Sequence, residues 1–174
     1  MSDSFFDKIL KIFTGDDTDT DTSAVASEQA AGELLSKNNI ILAQKSVSRE
    51  EAVRAAGNLL VKNGYVTKAY VEGMLKREEE MSTYIGKGLA IPHSEIDIEH
   101  SVKRSGIVVL QYPDGIKWED NSEVYLVIGI ASKDDDHLAI LANIAESMDD
   151  YSDEQMQELY YTLDKDVIYK VFVR

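Results

Sequence analysis

This sequence predicts an α/β fold, a central sheet covered by helices on both faces, and three observations predict it. Residues 106–112 (GIVVLQY) and 124–131 (VYLVIGIA) are near-continuous apolar runs without clear alternation, the pattern of strands covered on both sides. Segments with helical spacing of apolar residues and recognisable caps stand before and after them. At 174 residues, 44% hydrophobic and with only two prolines, the chain has the material for one globular domain with a sizeable core.

Taken in order, residues 4–13 (SFFDKILKIF) place Phe5, Phe6, Ile9, Leu10 and Phe13 on one helical stripe. Two lysines, one of them offset by Asp7, give this short amphipathic piece little pull toward anionic lipid, so its expected contact is protein. GDDTDTDTS follows, a low-complexity polar run that reads as a linker. Its Asp/Thr alternation lacks the glycine and closing glutamate of a calcium loop. The folded body starts near Leu34, so residues 1–33 are expected as an extension and residues 34–174 as the domain. Residues 39–42 read as a short strand.

Ser48 and Glu51 form a capping box that opens a helix with Ala52, Val53, Ala56, Leu59 and Leu60 inward, and Asn63-Gly64 closes it. Thr67 caps a second helix with Tyr70, Val71, Met74 and Leu75 inward. Its charged exit, Lys76 to Glu80, contains Arg77, which on charge pattern alone is a solvated residue favoured by the helix dipole. Pro113-Asp114-Gly115 reads as a turn between the two apolar strands, with Trp118 in the connection. After the second strand comes a helix with Leu138, Leu141, Ile144, Ala145 and Met148 at core spacing. Ser152 with Gln155 caps a last helix through Leu163, and the pattern of residues 166–174 does not decide their type. No internal repeat is visible.

The bulk composition excludes several classes of function. Thirty-two acids against 18 bases give a net charge of −14, which repels nucleic-acid phosphates. The absence of cysteine removes disulfides, thiolate catalysis and thiolate-bound metals. No run of about 18 apolar residues is present to span a bilayer, and no secretory signal is visible, so the cytoplasm is the expected compartment.

Chemistry concentrates in Thr83–His93 (TYIGKGLAIPH), which reads as a turn, a short buried segment and an exposed loop carrying an imidazole. Pro92 fixes its own φ and drives Ile91 toward an extended conformation, so His93 stands on a stiff backbone. Such an imidazole can act as base, metal ligand or nucleophile, or simply be a hydrogen-bonded histidine. Glu95, Asp97, Glu99 and His100 invite a metal reading, against which an exposed acidic strand or loop is the plainer expectation. His137 lies in the first turn of a helix at a strand–loop–helix junction, where open α/β proteins bind ligands and unpaired N–H groups favour an anion. Asp134, Asp135 and Asp136 oppose an anion unless they turn away to cap the helix.

Four co-linear motifs, GMLKRE (residues 73–78), YIGKGLAIPH (84–93), GIVVLQYPDG (106–115) and VIGIASKDDDHLAILANIA (127–145), resemble the IIA component of the bacterial phosphoenolpyruvate-dependent sugar phosphotransferase system. The resemblance covers roughly residues 36–165, and QYPDG and DDHLAIL favour the mannitol branch over fructose-type or nitrogen-regulatory relatives. It implies a mixed, mostly parallel sheet flanked by helices. It also implies that His93 accepts a phosphoryl group from the carrier HPr and passes it to a cysteine of a IIB component, with Arg77 and His137 stabilising the group in transit. No cofactor or metal is implied, and the membrane is reached only through the permease. A chain without cysteine needs its IIB acceptor in a separate polypeptide. Ser94 departs from the usual glycine or alanine, and residues 1–33 lie outside the resemblance. A regulatory module on the same fold, with His93 phosphorylation controlling a partner, is the alternative.

Overall fold

The computed structural model describes residues 7, 34–94, 100–133 and 136–173. Within them the strands are β1 (Ile40–Ile41), β2 (Tyr84–Gly86), β3 (Leu89–Ala90), β4 (Gly106–Glu119) and β5 (Ser122–Ala131). The helices are α1 (Arg49–Lys62), α2 (Lys68–Glu80), α3 (Asp136–Asp149), α4 (Asp153–Tyr161) and α5 (Lys165–Phe172). The strands make one sheet in the order β1-β4-β5-β3-β2. β1 runs parallel to β4 and β3 parallel to β5, while β4–β5 and β2–β3 are antiparallel. The mixed α/β sheet expected from the sequence is present.

Side chains alternate across the two central strands, and each face meets a helical layer. Ile107 and Val109 of β4 and Leu126, Ile128 and Ile130 of β5 pack with α3, α4 and α5. Val108, Leu110, Val127 and Ala131 pack with α1 and α2. Over residues 106–112 and 126–131 neither face sees water, which is why these stretches carry no polar alternation; beyond them Lys117, Glu119 and Glu123 are exposed. Each fully buried side chain such as Ile128 contributes about 1.5–3 kcal/mol over its exposed state. At Gly129 a Cβ would stand 2.8 Å from Val108 Cγ2 and 3.1 Å from Ala56 Cβ, so α1 lies this close to the sheet because residue 129 has no side chain.

The capping boxes Ser48/Glu51 and Ser152/Gln155 form as expected, each with both reciprocal hydrogen bonds. Gly64 closes α1 at φ 78°. Thr67 precedes α2, but its side chain makes no capping hydrogen bond.

Four expectations are corrected. Pro113-Asp114-Gly115 is no turn between strands: it lies inside β4, where the ladder shifts between Gln111 (opposite Leu126) and Ile116 (opposite Val124) and the extra residues bulge out. Trp118 is therefore a buried strand residue, not part of a connection. Leu138, expected in the core, is 42% exposed, and Ile140 takes that place. The helix after Ser152 ends at Tyr161, and an Asp164 cap starts α5 in the segment that sequence pattern left undecided. Residues 4–13 (Asp7 apart), the linker after them, and Glu95, Asp97 and Glu99 lie outside the described residues.

Candidate active site

The β2–β3 turn begins the placement of His93. Lys87 and Gly88 sit at φ 49° and 68°, the positive angles of a two-residue I′ hairpin, and return the chain beside β5. Lys87 Nζ donates to the carbonyls of Met148, Asp149 and Tyr151, tying this turn to the far end of α3. Past β3 the backbone is pinned three times. The Ile91 N–H donates to Thr83 O at 3.1 Å, and the Ile130 N–H donates to Pro92 O at 3.0 Å. The Ser94 N–H donates to the Tyr70 hydroxyl, whose own proton goes to Ile130 O at 2.5 Å. Tyr70 thus clamps the segment to the end of β5, and burial raises its pKa to about 12, keeping the phenol protonated for that role.

The loop carrying His93 is not exposed as expected: His93 is 3% exposed, and Ser94 is buried beside it. His93 Nδ1 lies 2.8 Å from the Ile91 carbonyl oxygen. A carbonyl only accepts, so Nδ1 carries the proton and Nε2 holds the in-plane electron pair. Burial is the largest cause of a pKa lowered to about 3, with the nearby charge of Arg77 and with His137 adding to it and the Ile91 hydrogen bond opposing it. The ring is therefore neutral at physiological pH.

His137, in the first turn of α3, brings its ring centroid to 5.9 Å from that of His93 at an interplanar angle of 64°. It is half-buried, and burial lowers its pKa to about 4. Ser105 Oγ steadies this helix start by donating to Asp136 Oδ2 at 2.6 Å and accepting from the Lys133 N–H at 2.9 Å. Arg77 corrects the reading of a solvated helix-end charge. It is 3% exposed, its Nη1 donates to Met81 O at 2.6 Å, and its charge is felt at His93.

Of the three residues singled out in the sequence, His93 and His137 thus stand ring to ring, and the charge of Arg77 reaches His93 from the last turn of α2. Sequence reasoning missed what braces them. Glu78 is also buried and holds Thr83 and Trp118; nothing in the run Lys76–Glu80 marks it apart from its neighbours. The sequence marks Tyr70 only as inward packing and carries no sign of its two hydrogen bonds.

A neutral imidazole with its electron pair on Nε2, a guanidinium, a second imidazole and a helix N-terminus can receive an anionic electrophile and release it again. Fold and site together define a class, an α/β phosphotransfer domain. Residues 33–174 match the family model described as "Phosphoenolpyruvate-dependent sugar phosphotransferase system, EIIA 2", and the chain belongs to that family, whose members are phosphotransferases. Among its relatives is the mannitol-specific phosphotransferase enzyme IIA component of Geobacillus stearothermophilus, 46% identical over 112 residues, 64% of this chain and 77% of that protein. The mannitol-specific EIICBA component of Pasteurella multocida is 41% identical over 119 residues; the match takes in 67% of this chain but only 19% of that longer protein. A solved complex of enzyme IIAMTL with phosphorylated enzyme IIBMTL from Escherichia coli matches with a TM-score of 0.74 and 34% identity, over 79% of this chain and 96% of that one.

Proposed function

We propose that this chain is a phosphocarrier of mannitol uptake. His93 Nε2 attacks the phosphorus of phospho-HPr; the new P–N bond forms as the donor's P–N bond breaks, and the electron pair returns to the donor imidazole. A cysteine thiolate of a IIB component then attacks the same phosphorus, the P–Nε2 bond breaks, and His93 returns to its neutral state. Arg77 supplies a permanently charged planar fork to the phosphoryl oxygens, and His137 with the start of α3 supplies further donors. The observation that carries this reading is the Nδ1–Ile91 hydrogen bond, which leaves the nucleophilic pair on Nε2, the nitrogen that can turn toward Arg77 and His137.

Residues 34–174 form the IIA domain in this reading, with residues 1–33 as an extension. Mannitol comes from the names of the relatives and from the QYPDG and DDHLAIL motifs. The acceptor cysteine lies outside these 174 residues, which contain none. The site of action is the cytoplasm; among the described residues no helix is long and apolar enough to cross a membrane.

The test is incubation with phosphoenolpyruvate, enzyme I and HPr, followed by addition of a mannitol-type IIB. Acid-labile phosphate on His93, absent in His93→Ala, and its onward transfer to the IIB cysteine are expected. An unphosphorylated chain would overturn the reading. Phosphorylation without onward transfer would replace it with a regulatory module.

A further inference from the structure

We propose that Glu78 is a positioning residue for this chemistry: through Thr83 and Ile91 it holds the His93 ring in the tautomer that puts the electron pair on Nε2. The consequence for transfer rests on the phosphocarrier reading above; the tautomer itself does not.

Glu78 occupies the last turn of α2 and is 4% exposed. Its Oε1 accepts from the Thr83 N–H at 3.1 Å and from the Trp118 indole N–H at 2.7 Å, and its Oε2 accepts from the Thr83 hydroxyl at 2.5 Å. Three donors on two oxygens is the complement of an acceptor-only carboxylate. A carboxylate out of water is costly unless its lone pairs are satisfied, so this set of donors is what lets a charged group occupy the position.

From there the contacts run in one direction. Thr83 is gripped at both its amide and its hydroxyl, which fixes the orientation of its peptide unit. Its carbonyl accepts the Ile91 N–H at 3.1 Å, and the Ile91 carbonyl in turn accepts the His93 Nδ1 proton at 2.8 Å. A buried neutral imidazole has two tautomers of similar intrinsic energy, and the acceptor facing one nitrogen decides between them. If Thr83 is released, the Ile91 carbonyl loses its fixed direction and the proton can settle on Nε2. The electron pair then lies on Nδ1, facing backbone, where it cannot attack phosphorus. The same grip braces the helix turn that carries Arg77, one residue before Glu78.

Trp118, in β4 beyond the bulge, also holds this carboxylate and provides a control. Its indole holds Glu78 without touching Thr83, so Trp118→Phe should lower the melting temperature while leaving the ring unaffected. Thr83→Val keeps the volume and removes the hydroxyl; Thr83→Ser restores it.

The experiment is nitrogen-15 NMR of the His93 ring in the full chain, run beside the rate of phosphorylation by phospho-HPr. The wild type should show a protonated Nδ1 and a bare Nε2. Glu78→Gln and Thr83→Val should show a mixture of tautomers and a rate reduced roughly ten- to a hundredfold, the loss expected of a misplaced reacting group. Thr83→Ser should recover both readouts. Wild-type tautomer and rate in folded Thr83→Val, whatever its melting temperature, would overturn the proposal, and this variant carries the test should Glu78→Gln not fold. A wild-type chain with the expected tautomer that accepts no phosphate would overturn the phosphocarrier reading while leaving the ring-orienting role of Glu78 standing.

Discussion

Arg77 and His137 approach His93 from opposite kinds of helix end. Arg77 is in the last turn of α2, where unpaired carbonyls favour a cation, and His137 is in the first turn of α3, where unpaired N–H groups favour an anion. The two ends differ as much in how they are held. At the α2 end Arg77 and Glu78 are buried, Glu78 is held by Thr83 and Trp118, and Arg77 is bound to Met81 O. The α3 end is tied by the exposed contacts of Ser105 to Asp136 and Lys133, and Leu138 stands in water beside His137. In the proposed transfer, the α2 end would be the fixed mount for permanent charge and the more exposed α3 end the one free to adjust to the phosphoryl group.

Acid gives the largest expected contrast. Above pH 6.5 folded and unfolded chains both hold neutral histidines, and neither ring affects stability. Below 6.5 the unfolded chain takes up protons that the folded rings refuse, so stability falls until each folded pKa is reached, about 4 for His137 and about 3 for His93. His93 alone can account for up to about 1.4 kcal/mol per pH unit across that window, and His137 for less because water reaches it. In denaturant melts at stepped pH, His93→Gln should flatten this acid slope more than His137→Gln; equal flattening would mean the two sites are equally deep.

Arg77→Ala comes next. Loss of the fixed cation should cost roughly 2–4 kcal/mol of transition-state stabilisation, read as kcat/KM with phospho-HPr, by the measure of one lost oxyanion donor. Near-wild-type transfer would remove Arg77 from the chemistry. For His137→Ala about 1.5 kcal/mol is expected, one charge-assisted hydrogen bond, falling mainly on transfer to IIB. The adjustable end should also show itself spectroscopically, the His137 pKa rising when His93 carries phosphate because a neighbouring anion favours the imidazolium. An unmoved titration curve would place the phosphoryl group out of its reach. Ser105→Ala should have the smallest effect, about 0.5–1 kcal/mol of stability with little change in rate, since its contacts are exposed.

Much of the fold was legible in the sequence, for identifiable reasons, while Arg77, His93 and His137 were singled out together only through the family resemblance. Capping boxes act over three residues, so Ser48/Glu51 and Ser152/Gln155 could be read directly. Strands covered on both faces show themselves as unbroken apolar runs, as in 106–112 and 124–131. What escaped depends on burial and strand register, which the whole domain sets even where the bonded partner is only a few residues away. Pro113-Asp114-Gly115 has turn composition, but the register with β5 absorbs it as a bulge. Arg77 and Glu78 sit in a run of charges that looks solvated, yet one meets Met81 and the other Thr83 and Trp118.

By itself the sequence determined which residue types stand at which local positions: an imidazole behind a proline, a guanidinium at a helix exit, an imidazole at a helix start. These follow from backbone stereochemistry and short-range capping, which act within a few residues. Only the tertiary structure decided that the two imidazoles stand side by side, that the His93 proton faces the Ile91 carbonyl, and that a glutamate forty residues from Trp118 shares its indole proton. Those choices come from removing polar groups from water, which forces each to find a partner wherever the packing of the whole domain supplies one.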